Sequence, residues 1–237
     1  TGCFGKEAYV LTGYLNTPKV LELALNNGRD PVSGRQVGLQ TGDPASFASF
    51  DELLTAFRRQ LHTIVEIKIR GNAIFEHAYA ADMPAPFLSA VIDDCVERGL
   101  DYNAGGARYN TSFVQCVGIG SITDGLSAIK HRLYDEQAIT MADLLQMLEE
   151  DFKGREADRL LLASSPRYGN DDDAADEIMR TVFDMLYDEI DGRPNLRGGV
   201  YHIDMLPTTS HIYFGSVMGA SADGRRAGRP LSEGISP

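Results

Sequence analysis

Asn103-Ala104-Gly105-Gly106-Ala107-Arg108-Tyr109-Asn110, followed closely by Phe113-Val114-Gln115-Cys116-Val117-Gly118-Ile119, decides the fold class. Paired glycines let the backbone come close to another group, so the first stretch reads as a tight loop. The second is a short, uninterrupted apolar run bounded by glycine, which reads as a buried strand.

Helical patterns flank this strand on both sides. Upstream, Thr17-Pro18 before Val20, Leu21, Leu23, Ala24 and Leu25 predicts a helix with Thr17 as N-cap and Pro18 at its first position, stopped by Gly28. Residues 29–48 are rich in Gly, Pro, Asp and Ser and predict a long ordered loop. Ser49-Phe50-Asp51-Glu52 is a capping-box pattern for a helix reaching about Ala80. A further helix is expected after Pro86, ending near Gly99. Downstream, helices are expected over 121–134, over 140–152 with Thr140 as cap, over 155–163 and over 172–190. Tyr201-His202-Ile203-Asp204-Met205 and His211-Ile212-Tyr213-Phe214 read as short strands, and a glycine-rich tail follows. Sparse strands among many helices point to α/β, in the form of a parallel barrel with long helical excursions.

Composition narrows the partners. The chain has 237 residues, 43% of them hydrophobic, which suits one large domain or a piece of a larger one. A formal net charge of −12 opposes nucleic acid phosphates and anionic membranes. The three cysteines, Cys3, Cys95 and Cys116, are odd in number and widely spaced. They define neither a disulfide framework nor a zinc cluster, and a reducing cytoplasm fits them best. No apolar run approaches the roughly 20 residues of a membrane span, and no signal peptide is visible. Asp171-Asp172-Asp173 reads as a helix start, where carboxylates meet the positive end of the helix dipole, with a metal site as the rival. Both ends, Thr1-Gly2-Cys3 and Ser232-Glu233-Gly234-Ile235-Ser236-Pro237, read as cuts through a longer chain.

Four segments could carry chemistry. Cys3 sits between glycines with Lys6 nearby, which would favour a thiolate, or it is a small buried residue beside a turn. Arg108 offers a rigid fork of donors for a carboxylate, or it joins Asn110 in tying backbone carbonyls together. Leu206-Pro207-Thr208-Thr209-Ser210 puts two hydroxyls at a strand end, facing a polar ligand or making local turn bonds. His202 and His211, close to it, are candidate bases or satisfied structural histidines. The run from Gly219 to Gly234 is an ordered loop carrying Arg225, Arg226 and Arg229.

These segments together resemble the glycyl-radical enzymes of the pyruvate formate-lyase type. Asn103–Asn110 is similar to that family's glycine-rich motif. Leu206-Pro207-Thr208-Thr209, Phe214-Gly215, Gly219-Ala220, Asp223-Gly224-Arg225 and Pro230–Pro237 are similar to the run before its radical loop. Phe4–Tyr14, Asp43-Pro44 and Tyr168–Asp173 look most like the branch that dehydrates 4-hydroxyproline.

The resemblance implies a fold and a chemistry. The fold is a ten-stranded barrel ringed by helices, with residues 1–237 as part of that single domain, from its second half. The chemistry is removal of water from a small hydroxylated substrate. A cysteine thiyl radical takes a hydrogen atom, a glycyl radical in the protein itself stores the unpaired electron, and a carboxylate in a Gly-Cys-x-Glu motif acts as base. An S-adenosylmethionine-dependent, iron–sulfur activating enzyme is the implied partner, the full-length protein is expected to be a homodimer, and no bound metal is expected. Here Gly5 stands where Gly-Cys-x-Glu needs Glu, so the true pair is expected just before Thr1, with Cys3 as the weaker candidate for the thiyl residue. The radical motif Arg-Val-x-Gly-Tyr does not occur in the chain, so this piece alone is expected to be inert. Tyr14 and Thr209, with Thr208 second, are the implied substrate contacts; Arg108 and Asn110 are the implied braces of the structural loop. Two rivals stay open: a non-catalytic half-barrel module, and a lyase of the same family acting on a diol, a decarboxylation substrate or a carbon–carbon cleavage substrate.

Overall fold

The computed structural model describes residues 5–205 and 209–233. Cys3 and Thr208 lie outside the described residues, as do Leu206, Pro207 and the last four residues of the Pro230–Pro237 motif. The chain forms two compact units. The first holds the residues up to Tyr14, Val65–Gln115 and Leu186–Asp204; the second holds Leu15–Ile64, Cys116–Met185 and the residues from Met205 onward.

The strands are β1 (Glu7–Asn16), β2 (Tyr109–Val117) and β3 (Tyr201–Asp204), in the sheet order β1-β2-β3. β2 and β3 run parallel, with Ser112 opposite Tyr201 and Gln115 opposite Asp204. The helices are α1 (Thr17–Ala24), α2 (Phe50–Asp82), α3 (Pro86–Ser89), α4 (Cys95–Arg98), α5 (Ile119–Ile129), α6 (Met141–Glu149), α7 (Glu156–Ala163), α8 (Asp173–Ile190) and α9 (Ser210–Ser216). A π-helical turn over Lys130–Asp135 extends α5. Helices around a small sheet with a parallel pair bear out the α/β reading.

In the second unit α1 packs on α5, burying Val20, Leu21 and Leu23 with Ile122 and Leu126. The approach is close because Gly118, at φ +88°, has no side chain. A Cβ there would lie 2.7 Å from the Pro18 ring. Thr17 does not cap α1. Its hydroxyl donates to the buried Val117 carbonyl at 2.7 Å, and Asn16 accepts from Lys19 N at 3.2 Å as the cap. At α2, Glu52 N donates to Ser49 Oγ as the capping pattern requires, but the Glu52 carboxylate reaches past Ser49 to Ala48 N at 2.8 Å. Thr140 and Asp143 close a full capping box on α6.

In the first unit Ala8, Cys95 and Ala107 form a small buried cluster with Ile92 and Tyr102 against it. Cys95 and Cys116 are buried and form no disulfide among the described residues, and burial pushes the Cys95 thiol up.

Besides the cap of α1, three elements differ from the sequence reading. β1 is a ten-residue strand that the sequence reading left without one. His211–Phe214 lies in helix α9, not in a strand; aromatic and β-branched residues favour strands only where a pleated neighbour receives them. Residues 86–99 form two short helices, because Asp94 takes the left-handed conformation, φ +73°, between them.

Candidate functional site

The first unit presents one row of aromatic and ionisable side chains across its sheet. Tyr9 of β1 stacks on Phe113 of β2 at 4.3 Å, and Phe113 meets the His202 ring of β3 at 5.8 Å. Each polar end is tied down. Tyr9 Oη donates to Asp204 Oδ2 at 3.0 Å, and His202 Nδ1 lies 2.8 Å from Asp191 Oδ1. Burial, followed by the Asp204 hydrogen bond, pushes the Tyr9 phenol up. Thr111 Oγ1 donates to Glu7 Oε1 beside them. A shallow hollow of about 570 Å³ opens here, lined by Glu7, Thr111, Phe113, Gly199 and His202. His202 thus has a carboxylate partner, as the structural alternative for it required.

Tyr14 stands near the end of β1 with 41% of its surface exposed, just after Gly13 at φ +117°. Tyr14 belongs to this first unit but is not among the residues that line its hollow of about 570 Å³. Thr209 belongs to the second unit, immediately before α9, where its carbonyl accepts from Ile212 N at 3.1 Å and its side chain makes no capping bond.

The glycine-rich loop is braced, with its two named side chains doing different jobs. Asn110 Nδ2 donates to the carbonyls of Gly105 and Ala107 at 3.1 and 3.0 Å, holding the turn against the start of β2. Arg108 binds no carbonyl of the loop. It grips Asp94 through Nη2–Oδ1 at 2.6 Å and Nε–Oδ2 at 3.1 Å. The Arg108 guanidinium holds the Asp94 carboxyl below its usual range. Another arginine, Arg98, donates through Nη1 to Ala107 O at 2.9 Å, the carbonyl that Asn110 also holds.

In the second unit the Gly219–Arg229 loop is stapled by its own arginines. Arg225 Nη1 donates to Arg229 O at 2.8 Å, its Nη2 to Gly219 O and its Nε to Ser221 Oγ at 3.0 Å. Arg226 reaches Asp151 O and Glu156 Oε2 at 2.8 and 2.7 Å. Neither guanidinium is left free for a ligand. An open hollow of about 660 Å³ beside this loop is lined by Asp124, Arg159, Arg167, Tyr168 and Asp223. Asp124 there accepts from Arg167 Nε and Tyr168 N at 3.0 and 2.9 Å, and burial pushes its carboxyl up. The acidic run opens α8 as expected, with Asp172 Oδ1 accepting from Ala174 N at 3.0 Å. Among the described residues no group of three His, Cys, Asp or Glu could hold a metal ion, and no helix is long and apolar enough to cross a membrane.

The braced glycine-rich loop and the arginine-stapled loop after α9 contain described parts of the motifs that carried the resemblance. The chain matches the pyruvate formate lyase-like family over residues 1–215 and belongs to that family. It is 57% identical over 238 residues to trans-4-hydroxy-L-proline dehydratase of Clostridioides difficile, across 100% of this chain and 30% of that protein. It superposes on the crystal structure of that organism's hydroxyproline dehydratase with substrate trans-4-hydroxy-L-proline bound at a TM-score of 0.98, with the same coverage. It also resembles the glycerol-bound B12-independent glycerol dehydratase of Clostridium butyricum, at 34% identity and a TM-score of 0.92 over 97% of this chain and 29% of that one. The chain therefore spans about 30% of the length of the relatives it matches.

Proposed function

We propose that this chain is part of a glycyl-radical hydro-lyase that removes water from trans-4-hydroxy-L-proline. One observation supports this above the rest: likeness to the hydroxyproline dehydratase reaches 57% identity, against 34% for the glycerol dehydratase, over nearly the same residues.

In this reading both units belong to one pyruvate formate-lyase-type barrel domain. Tyr14 presents its phenol to the ring or hydroxyl of the substrate, and Thr209, with Thr208 beside it, offers a hydroxyl from the segment after β3. The radical, once installed, supplies hydrogen-atom abstraction from carbon; the part of the residues present is to orient the substrate and exclude water. Asn110 holds the glycine-rich turn, and Arg108 fixes the 94–108 connection through Asp94. The radical cysteine and its carboxylate are placed just before Thr1, with Cys3 as the lesser candidate, and the radical glycine beyond Pro237. The full-length protein is read as a cytoplasmic homodimer of anaerobic metabolism, activated by an S-adenosylmethionine radical enzyme and without a bound metal.

The test is kinetic. Activated full-length protein is assayed without oxygen on trans-4-hydroxy-L-proline, alongside Tyr14→Phe, Thr209→Ala and Arg108→Ala. Loss of a substrate hydrogen bond lowers kcat/KM about tenfold or more in the first two, while Arg108→Ala keeps most of the turnover. Unchanged kinetics in both Tyr14→Phe and Thr209→Ala would remove these residues from the pocket.

A further inference from the structure

The side chains of β1 change face part-way along the strand. Successive residues of a strand point to opposite faces, and β1 follows this as far as Leu11. Tyr9 and Leu11 are 37% and 38% exposed, while Ala8 is fully buried against Cys95 and Ala107. Continued alternation would turn Tyr14 to the side of Ala8 and Leu15 to the side of Tyr9 and Leu11. The reverse is found, with Tyr14 41% exposed and Leu15 5%. The alternation therefore slips by one residue between Leu11 and Tyr14.

Gly13 lies at the slip, and its φ of +117° is a conformation that residues with side chains rarely adopt. One extra residue in a strand moves every later side chain to the other face. Neighbours hold the backbone on the N-terminal side of the slip. Thr12 Oγ1 donates to the Phe113 carbonyl of β2 at 2.8 Å, and Lys68 Nζ of α2 lies 3.5 Å from Thr12 O. A Cβ on Gly13 would meet only the Lys68 Nζ atom, 3.2 Å away at the far end of a flexible side chain. Conformation, more than space, selects glycine here.

We propose that Gly13 is a positioning residue: its backbone sets the face of β1 on which Tyr14 stands, the face that also carries Tyr9 and Leu11. A residue with a Cβ at position 13 relieves its strain by closing the slip. Strict alternation then carries the Tyr14 phenol to the side of Ala8. The consequence for turnover rests on the reading of Tyr14 as a substrate contact, whereas the geometry stands apart from it.

The test joins a crystal structure of full-length Gly13→Ala to a double-mutant cycle with Tyr14→Ala. In the crystal, Tyr14 is expected to leave the face of Tyr9 and Leu11. In activated protein, Gly13→Ala lowers kcat/KM for trans-4-hydroxy-L-proline about tenfold or more. In a Tyr14→Ala background the same change lowers it less than about twofold further, because residues that act through one another are not additive. Tyr14 displaced in the crystal, with normal kinetics in Tyr14→Ala, supports the role of Gly13 and sinks instead the reading of Tyr14 as a substrate contact. Where circular dichroism shows Gly13→Ala unfolded, deletion of Gly13 decides the matter. Removing the extra residue restores alternation without asking a side chain to take positive φ, so Tyr14 keeps its face. Tyr14 unmoved in Gly13→Ala, Tyr14 on the side of Ala8 in the deletion, or additive losses where Tyr14→Ala itself lowers kcat/KM overturns the proposal.

Discussion

Glu22 and Gly219, 197 residues apart in sequence, are joined by one hydrogen bond from the Gly219 amide to Glu22 Oε1 at 2.8 Å. The bond fastens the glycine-rich loop after α9 to helix α1 inside the second unit. Glu22 is buried and also pairs with Lys19, which reaches Asp30 at 2.9 Å. Burial pushes the Glu22 carboxyl up, against the opposing pull of Lys19.

A pH dependence follows from that shift. Because the folded carboxyl is raised above its ordinary value of 4.5, the native state holds a proton that the unfolded chain has released. Stability from this group therefore falls as pH rises from 4.5 through the raised value. In Glu22→Gln that fall is absent, and the amide oxygen still accepts from Gly219. Urea midpoints of wild type and variant across mildly acidic to neutral pH measure the difference; equal slopes in the two proteins contradict it.

Tyr201 gives an alkaline counterpart. Burial, and then the Glu76 carboxylate, push its phenol up to about 12 from 10.0. The native state keeps this proton where the unfolded chain loses it, so stability falls as pH rises from 10 through 12. Tyrosinate absorbance of the native protein should contain one late component that Tyr201→Phe lacks. Identical titration curves for the two proteins contradict the burial.

Neighbouring glycines separate two kinds of cost. A Cβ on Gly199 would lie 1.7 Å from the Asn110 carbonyl oxygen, so the backbone must move, while Gly198 at φ +80° faces open space among the described residues. Gly199→Ala is expected to cost about 3 kcal/mol or more, and Gly198→Ala about 1–2 kcal/mol from its left-handed backbone alone. Urea unfolding of the full-length variants checks the order; equal losses contradict it.

Exposed apolar groups predict how the isolated 237 residues behave. Ile67, Ile74 and Phe75 of α2 are exposed, and Phe87 of α3 is 92% exposed. Such a surface favours association, so light scattering of the isolated piece should show self-association that grows with concentration. A cooperative, monomeric unfolding transition contradicts this.

Much of the helical frame was legible because it rests on local rules. The Thr140 cap, Pro18 at a first turn and the four-residue spacing of Leu53, Phe57 and Leu61 act within a few residues. What was not legible depends on distant partners. Glu7–Asn16 becomes a strand by pairing beside β2, and its period is broken at Gly13. Asp94 adopts its left-handed turn with Arg108, fourteen residues on, gripping its carboxylate. His211–Phe214 turns helical where Gly215 lies so close to the Arg229 and Pro230 backbone that a Cβ would meet Arg229 O at 2.1 Å.

Asn110 was read as a brace, and its amide donates to the carbonyls of Gly105 and Ala107. Arg108 braces through a carboxylate that periodicity does not point to. The Glu76–Arg197 pair left no signal, since a lone Glu on a helix and a lone Arg in a turn look like solvated surface until the fold brings Glu76 against Ser112 and Arg197.

The central claim concerns substrate, and one competition experiment addresses it most directly. Full-length protein, activated without oxygen, is given equal amounts of trans-4-hydroxy-L-proline and glycerol, and both dehydration products are followed in time. The account predicts rapid consumption of the hydroxyproline with glycerol nearly untouched. Preferential dehydration of glycerol, with the hydroxyproline left intact, would contradict it.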